Sequence, residues 1–202
     1  WDNNADFNSD TGTVIFTATS TTETIDSTGA EDADFNVLTL GETSGTATWN
    51  LSSSLISSAT TTIDFGTLSP GANSINLASS LTINGSGNFT TGTATTTFDG
   101  SGTSFWFNAA TIDNLGTVVV NGTTKTIALD SSVQANQVTV EADDTLDLRS
   151  SAFTLTLAGS GAAGARPFIV NGSLTEGADS KVAYIGTSAL EVEDETYHDI
   201  DF

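Results

Sequence analysis

The segment "TTTIDFGTLSPGANSINLASSLTING" (60–85) decides how this chain is read. Within it, "TIDF" (62–65), "SINL" (74–77) and "LTI" (81–83) alternate apolar and polar residues in steps of two, and Gly, Pro, Asn and Ser separate them. Such alternation specifies β-strands, because successive side chains of a strand point to opposite faces. Ile63 and Phe65 are expected to point inward, and Thr62 and Asp64 outward. The same pattern runs in both directions, through "VIF" (14–16), "ATWNL" (47–51), "TVVV" (117–120), "KTIAL" (125–129), "VTV" (138–140), "TLDL" (145–148) and "FTLTL" (153–157). Asn-Gly pairs at 84–85, 121–122 and 171–172 supply residues that tolerate positive φ at turns. Helical periodicity is almost nowhere. The chain reads as all-β.

Internal similarity narrows the architecture. "TATWNLSSSL" (46–55) aligns with "TKTIALDSSV" (124–133), "NSINLASS" (73–80) with "FTLTLAGS" (153–160), "TINGS" (82–86) with "IVNGS" (169–173), and "TATTTFDGSG" (93–102) with "SKVAYIGTSA" (180–189). The phrase "ADFNVLTL" (33–40) returns as "ETYHDIDF" (195–202), matching Phe35, Leu38 and Leu40 to Tyr197, Ile200 and Phe202. The offsets cluster near 80 residues or twice that, a period that points to a repeat architecture. One continuous unit over 1–202 is expected, with copies at about 11–92 and 93–179 and a partial copy at 180–202. A propeller blade is usually shorter and must close into a ring. A parallel β-helix, or β-solenoid, with coils of about 20 residues and three to five coils per module is therefore the expected fold. Tandem β-sandwich domains are the alternative, and the lack of a Pro-rich or flexible linker argues against them.

Composition restricts function. The 202 residues carry 25 acidic and four basic side chains, a formal charge of −21. Such a surface repels nucleic acid and anionic membrane, both of which need Lys and Arg to neutralise phosphate. Neither is an expected partner, and no apolar run is long enough to insert in a bilayer as a helix. Cysteine is absent, which excludes disulfides and thiolate metal sites. The Thr/Asn-rich, Lys-poor, Cys-free composition suggests an extracellular or cell-surface protein.

The succession "FNVLTL", "TWNL", "TIDF", "LTINGSGNFT" and "TTFDGSG" resembles the repeats of very large bacterial and archaeal surface proteins of the filamentous-haemagglutinin-like adhesin type. The resemblance implies a right-handed parallel β-solenoid, an exported structural or adhesive role, and no catalytic residues.

Candidate sites follow from residue type. "AEDADF" (30–35) and "VEDETY" (192–197) align Glu31 with Glu193 and Asp32 with Asp194, with Asp34 beside the first pair, and "EADD" (141–144) adds Asp143 and Asp144. Carboxylates clustered on turns are the donor type Ca²⁺ requires, so calcium is the expected cofactor if there is one. The competing reading is a solvated acidic turn. Sequons at Asn50, Asn84, Asn88, Asn121 and Asn171 are candidate glycan acceptors, although Asn-Gly turn chemistry explains three of them. In "SFWFN" (104–108) Trp106 lies opposite Phe105 and Phe107, and an exposed Trp106 would stack on a sugar or enter an interface. His198 stands alone, without partners for a triad or a zinc site, and is expected to face solvent. Polysaccharide hydrolysis needs two spaced carboxylates, and lyases of acidic sugars need basic residues that are scarce here, so the chain reads as a non-enzyme. Tyr197, Ile200 and Phe202 form a full-strength terminal strand rather than a polar cap. Solenoid ends expose unpaired backbone groups. The expected partners are therefore further chain or a second copy joining end to end, with neutral glycans as the alternative.

Overall fold

The computed structural model describes residues 1–2, 7, 9–26, 34–109, 112–161, 166–187, 191–192 and 195–202. Among them there is no helix, and every strand pairing is parallel. The chain is a β-solenoid of about 8 turns spaced about 22 residues apart.

Each coil crosses three faces. The first holds β1 (Thr13–Phe16), β4 (Val37–Leu40), the leading halves of β7 (Thr61–Ser69) and β9 (Leu81–Phe89), β11 (Ser101–Asn108), β13 (Thr123–Leu129), β16 (Thr145–Asp147) and β19 (Ser173–Thr175). The second holds β3 (Asp34–Phe35), β6 (Leu55–Ser57), β8 (Ile75–Leu77), β10 (Thr95–Phe98), β12 (Thr117–Val120), β15 (Gln137–Val140) and β18 (Phe168–Val170). The third starts with β2 (Thr22–Ile25), β5 (Thr48–Leu51) and the trailing halves of β7 and β9. It continues through an Asn114–Gln134 bridge into β14 (Val133–Ala135), β17 (Thr154–Leu157), β20 (Lys181–Tyr184) and β21 (Ile200–Asp201).

Because the pairing is parallel and in register, like positions stack into columns. On the second face Phe35, Ser57, Leu77, Phe98, Val120, Val140 and Val170 form one such column. On the first face Leu38, Thr61, Leu81, Trp106 and Leu129 form another. Each apolar member is worth roughly 1.5–3 kcal/mol when fully buried. The columns merge into one continuous core from Ile25 to Tyr184.

Strand β7 corrects one expectation. Ile63 is buried, but Phe65 is only half-buried, because the register shifts between the two where the strand turns from the first face to the third. Gly66 completes the bend with φ +77°, and a Cβ there would meet Ala47 O at 2.4 Å.

The eighty-residue echo is not a geometric repeat. Leu38 lies on the first face and pairs with Val14 and Thr61, whereas its counterpart Ile200 lies on the third and pairs with Val182. Thr97 and Tyr184, another matched pair, lie on the second and third faces. With coils about 22 residues apart, eighty residues span about three and two-thirds coils, so the echo returns the chain to a neighbouring face.

Candidate functional site

The most distinctive surface of the solenoid is built by β11 on the first face. Its alternation places Ser104, Trp106 and Asn108 inside and Phe105 and Phe107 outside. Trp106 is therefore not the exposed aromatic expected from sequence. It is 0% exposed, stacked between Leu81 and Leu129, 6.1 Å from the Phe98 ring, and its Nε1 has no acceptor. Phe105 takes the outward position at 42% exposure, with the Arg149 guanidinium 5.8 Å from its ring centroid. That contact is a cation–π pair.

Beside this strip lies an open recess of about 390 Å³, lined by Phe107, Asn108, Ala109, Ile112, Ser131 and Ser132. Asn108 is 2% exposed, and its Nδ2 donates to Asp113 O at 3.0 Å, which sets the orientation of the amide. Asn108 Oδ1 then has no partner. The Asn108 N–H donates to Ser131 Oγ at 2.7 Å, and Ser132 Oγ accepts from Thr154 N at 3.0 Å. Burial raises the Asp113 carboxyl above its ordinary value, opposed by a hydrogen bond that Asp113 accepts from Phe89 N at 3.1 Å.

A second polar cluster sits where the second face turns into the first. Lys125 is fully buried, and its Nζ donates to Ala78 O at 2.6 Å and to Ser104 Oγ at 2.7 Å. Burial lowers the amine below the ordinary lysine value, against the pull of Asp99 and Asp144. Asp144, expected as a calcium ligand, is 1% exposed, and its two oxygens accept from Lys125 N at 2.6 Å and Gly122 N at 2.8 Å. It staples the turn of the preceding coil. Gly122 is required there, since a Cβ would meet Gly100 O at 2.2 Å.

The remaining candidates do not converge. Asp143 is exposed at a positive φ of 68°, on the turn beside Asp144. Glu31, Asp32, Glu193, Asp194 and the side chain of Asp34 lie outside the described residues. Among the described residues no group of three His, Cys, Asp or Glu side chains is placed to hold a metal. Of the sequons, Asn88, Asn121 and Asn171 are exposed and Asn50 is half-buried. Asn84 donates to Asp64, and Asn171 donates to Glu141 at 3.2 Å. His198 is exposed, and its backbone N–H donates to Glu176 at 2.5 Å. Burial raises the Glu176 carboxyl, countered by that bond.

The terminal strand residues part company. Ile200 pairs with Val182 on β20, Tyr197 lies 3.1 Å from Tyr184 through their hydroxyls, and Phe202 stacks on Tyr184 while remaining 75% exposed. At the other end Trp1, Phe7, Phe16 and Phe35 make a ring cluster with centroids 5.4–6.2 Å apart.

No family model, curated protein or solved structure matches this chain.

All four basic residues are engaged by protein groups. Lys125 is buried, Arg149 pairs with Asp130 at 2.6 Å, Arg166 with Glu191 at 2.5 Å, and Lys181 with Asp199 at 3.6 Å. The surface therefore presents acid without a free cation to grip an anionic ligand.

Proposed function

We propose that this chain is a structural or adhesive segment of an exported surface protein, extended through the ends of its solenoid. The carrying observation is the state of the C-terminal rungs. Among the described residues β21 is paired on one side only, to β20, whereas the chain's own later residues lie beside β18 and β19, Glu191 pairing with Arg166 and the His198 N–H donating to Glu176. Phe202 follows β21 directly and is 75% exposed. An edge of this kind accepts another strand. The acidic surface fits a role outside nucleic-acid and anionic-membrane recognition, since like charge raises the cost of approach.

The test is assembly of the purified chain, followed by sedimentation and negative-stain microscopy. Filaments are expected, and Ile200→Lys should abolish them while circular dichroism stays unchanged. Filaments that persist in Ile200→Lys would exclude edge addition at β21.

An adhesive reading centred on neutral glycans is the second possibility. It is favoured by the outward Phe105 and Phe107, the latter continuing a row that runs Ile15, Thr39, Thr62 and Thr82.

A further inference from the structure

We propose that Asn171 is a self-modification site, converted by attack of the chain's own backbone into an aspartyl or isoaspartyl residue, and that the matching Asn121 is shielded from the same reaction.

The chemistry needs an asparagine followed by a residue with no side chain in the way. The next backbone nitrogen gives up its proton and attacks the asparagine Cγ. A new C–N bond closes a five-membered succinimide, the bond to the side-chain nitrogen breaks, and ammonia leaves. Water then opens the ring at either carbonyl, giving an aspartyl residue or an isoaspartyl residue with one extra backbone methylene. Water is the one reactant consumed. Glycine favours ring closure because it lacks Cβ and adapts its backbone freely, and Asn-Gly occurs at 84–85, 121–122 and 171–172.

The fold gives these pairs different surroundings. Asn84 lies inside β9, where Ile83 pairs with both Ile63 and Asn108 and Ser86 pairs with Phe65. Pairing on either side holds the backbone extended, which keeps the Gly85 nitrogen turned away from the Asn84 side chain. Asn121 and Asn171 instead follow β12 and β18 at the same corner of the solenoid, where their N–H groups donate to Phe98 O at 2.9 Å and Val140 O at 2.8 Å. Both asparagines are exposed, so water reaches them.

Their glycine nitrogens differ. The Gly122 N–H donates to the buried Asp144 carboxylate at 2.8 Å. Attack from there breaks a charge-assisted hydrogen bond and builds an anion on nitrogen beside a negative charge. The Gly172 N–H donates to Val140 O at 3.2 Å, an oxygen it shares with the Asn171 N–H. A long, shared bond to a neutral acceptor resists loss of the proton less.

Conversion at 171 acts on the fold. The Asn171 amide donates to Glu141 at 3.2 Å. A carboxylate in its place sets two negative charges against each other across adjacent coils. An isoaspartyl linkage also lengthens the backbone just before Ser173, whose N–H donates to Asp144 O at 2.9 Å and which opens the pairing of β19 with β16. The β19 rung therefore loosens with time and with rising pH.

The test is incubation of the folded chain in mildly alkaline buffer, followed by peptide mapping with mass spectrometry and chromatographic separation of aspartyl from isoaspartyl peptides. Position 171 should convert first, about tenfold or more faster than 121, the factor implied by one charge-assisted hydrogen bond. It should also outrun 84. In denaturant the three sites should convert at similar rates. Asp144→Ala should speed conversion at 121 about tenfold or more and leave 171 unchanged. Because that variant is also expected to lose stability, hydrogen exchange in the parent chain supplies an independent readout: the Gly172 amide should exchange faster than the Gly122 amide. Asn171→Asp should raise exchange across Ser173–Thr175, and unchanged exchange there would refute the loosening. Conversion at 121 or 84 that matches 171 in the folded chain, or a position 171 that stays intact while the denatured chain converts, overturns the proposal.

Discussion

Asp144→Ala tests how the coils are held in register. The carboxylate is 1% exposed and accepts two backbone N–H groups of the preceding coil, Lys125 at 2.6 Å and Gly122 at 2.8 Å. Hydrogen bonds to a charged group contribute about 1.5–3 kcal/mol each, and their loss here leaves the buried Lys125 amide and the half-buried Gly122 amide without that acceptor. The two bonds share one carboxylate and are not fully additive, so a loss of about 3–5 kcal/mol is expected. For a chain of this length each kcal/mol lowers Tm by about 2–4 °C, giving a fall of about 6–20 °C. The assay is thermal unfolding by circular dichroism, paired with hydrogen exchange at Gly122 and Lys125, because a solenoid can open locally before it melts. Asp144→Asn keeps one acceptor oxygen but turns its NH2 toward the other backbone N–H, so it should be destabilising as well, though less than Asp144→Ala. A Tm within 1 °C of the parent, with both amides still protected, would refute the staple.

Other outcomes follow from burial and charge. Trp106→Ala should cost about 3–5 kcal/mol by emptying the column between Leu81 and Leu129, whereas Phe105→Ala should cost under about 1 kcal/mol; chemical denaturation distinguishes them. Lys125 has its folded value below its unfolded value, so between the two the unfolded chain holds the extra proton. Stability should then rise with pH up to the ordinary lysine value near about 10.4, and Lys125→Met should remove that rise. Asp113 and Glu176 have raised folded values. Their contribution should grow as pH falls through those values toward the ordinary carboxylate range near about 4, and Asp113→Asn should flatten the Asp113 part of a Tm-versus-pH curve.

Strand existence was legible in the sequence because alternation is local. Ile63, Leu77, Val120, Val140 and Leu157, each the apolar member of an alternating run, are all buried. What alternation does not carry is which parity faces inward. In "SFWFN" Trp106 shares parity with Ser104 and Asn108, which makes that side look solvated, while Phe105 and Phe107 look like core. The interior accepts Ser104 because Lys125 donates to it from the next coil, and Asn108 because its amide donates to Asp113 O. Asp144 was misread for the same reason: "EADD" looks like a solvated turn until Gly122 and Lys125 supply amides from another coil. The echo of about eighty residues reflects strand-and-turn composition shared by all three faces, which is why its members land on different ones. The recess depends on Asn108 and Ser131, 23 positions apart, being joined by a hydrogen bond.

Fibre diffraction from aligned assemblies of the purified chain measures the central claim most directly. Strands stacked rung upon rung across each junction place a reflection at about 4.7–4.8 Å along the filament axis. That reflection is expected from the parent chain. Its absence from the axial direction, or particles that stay single at every concentration, would contradict extension through the solenoid ends.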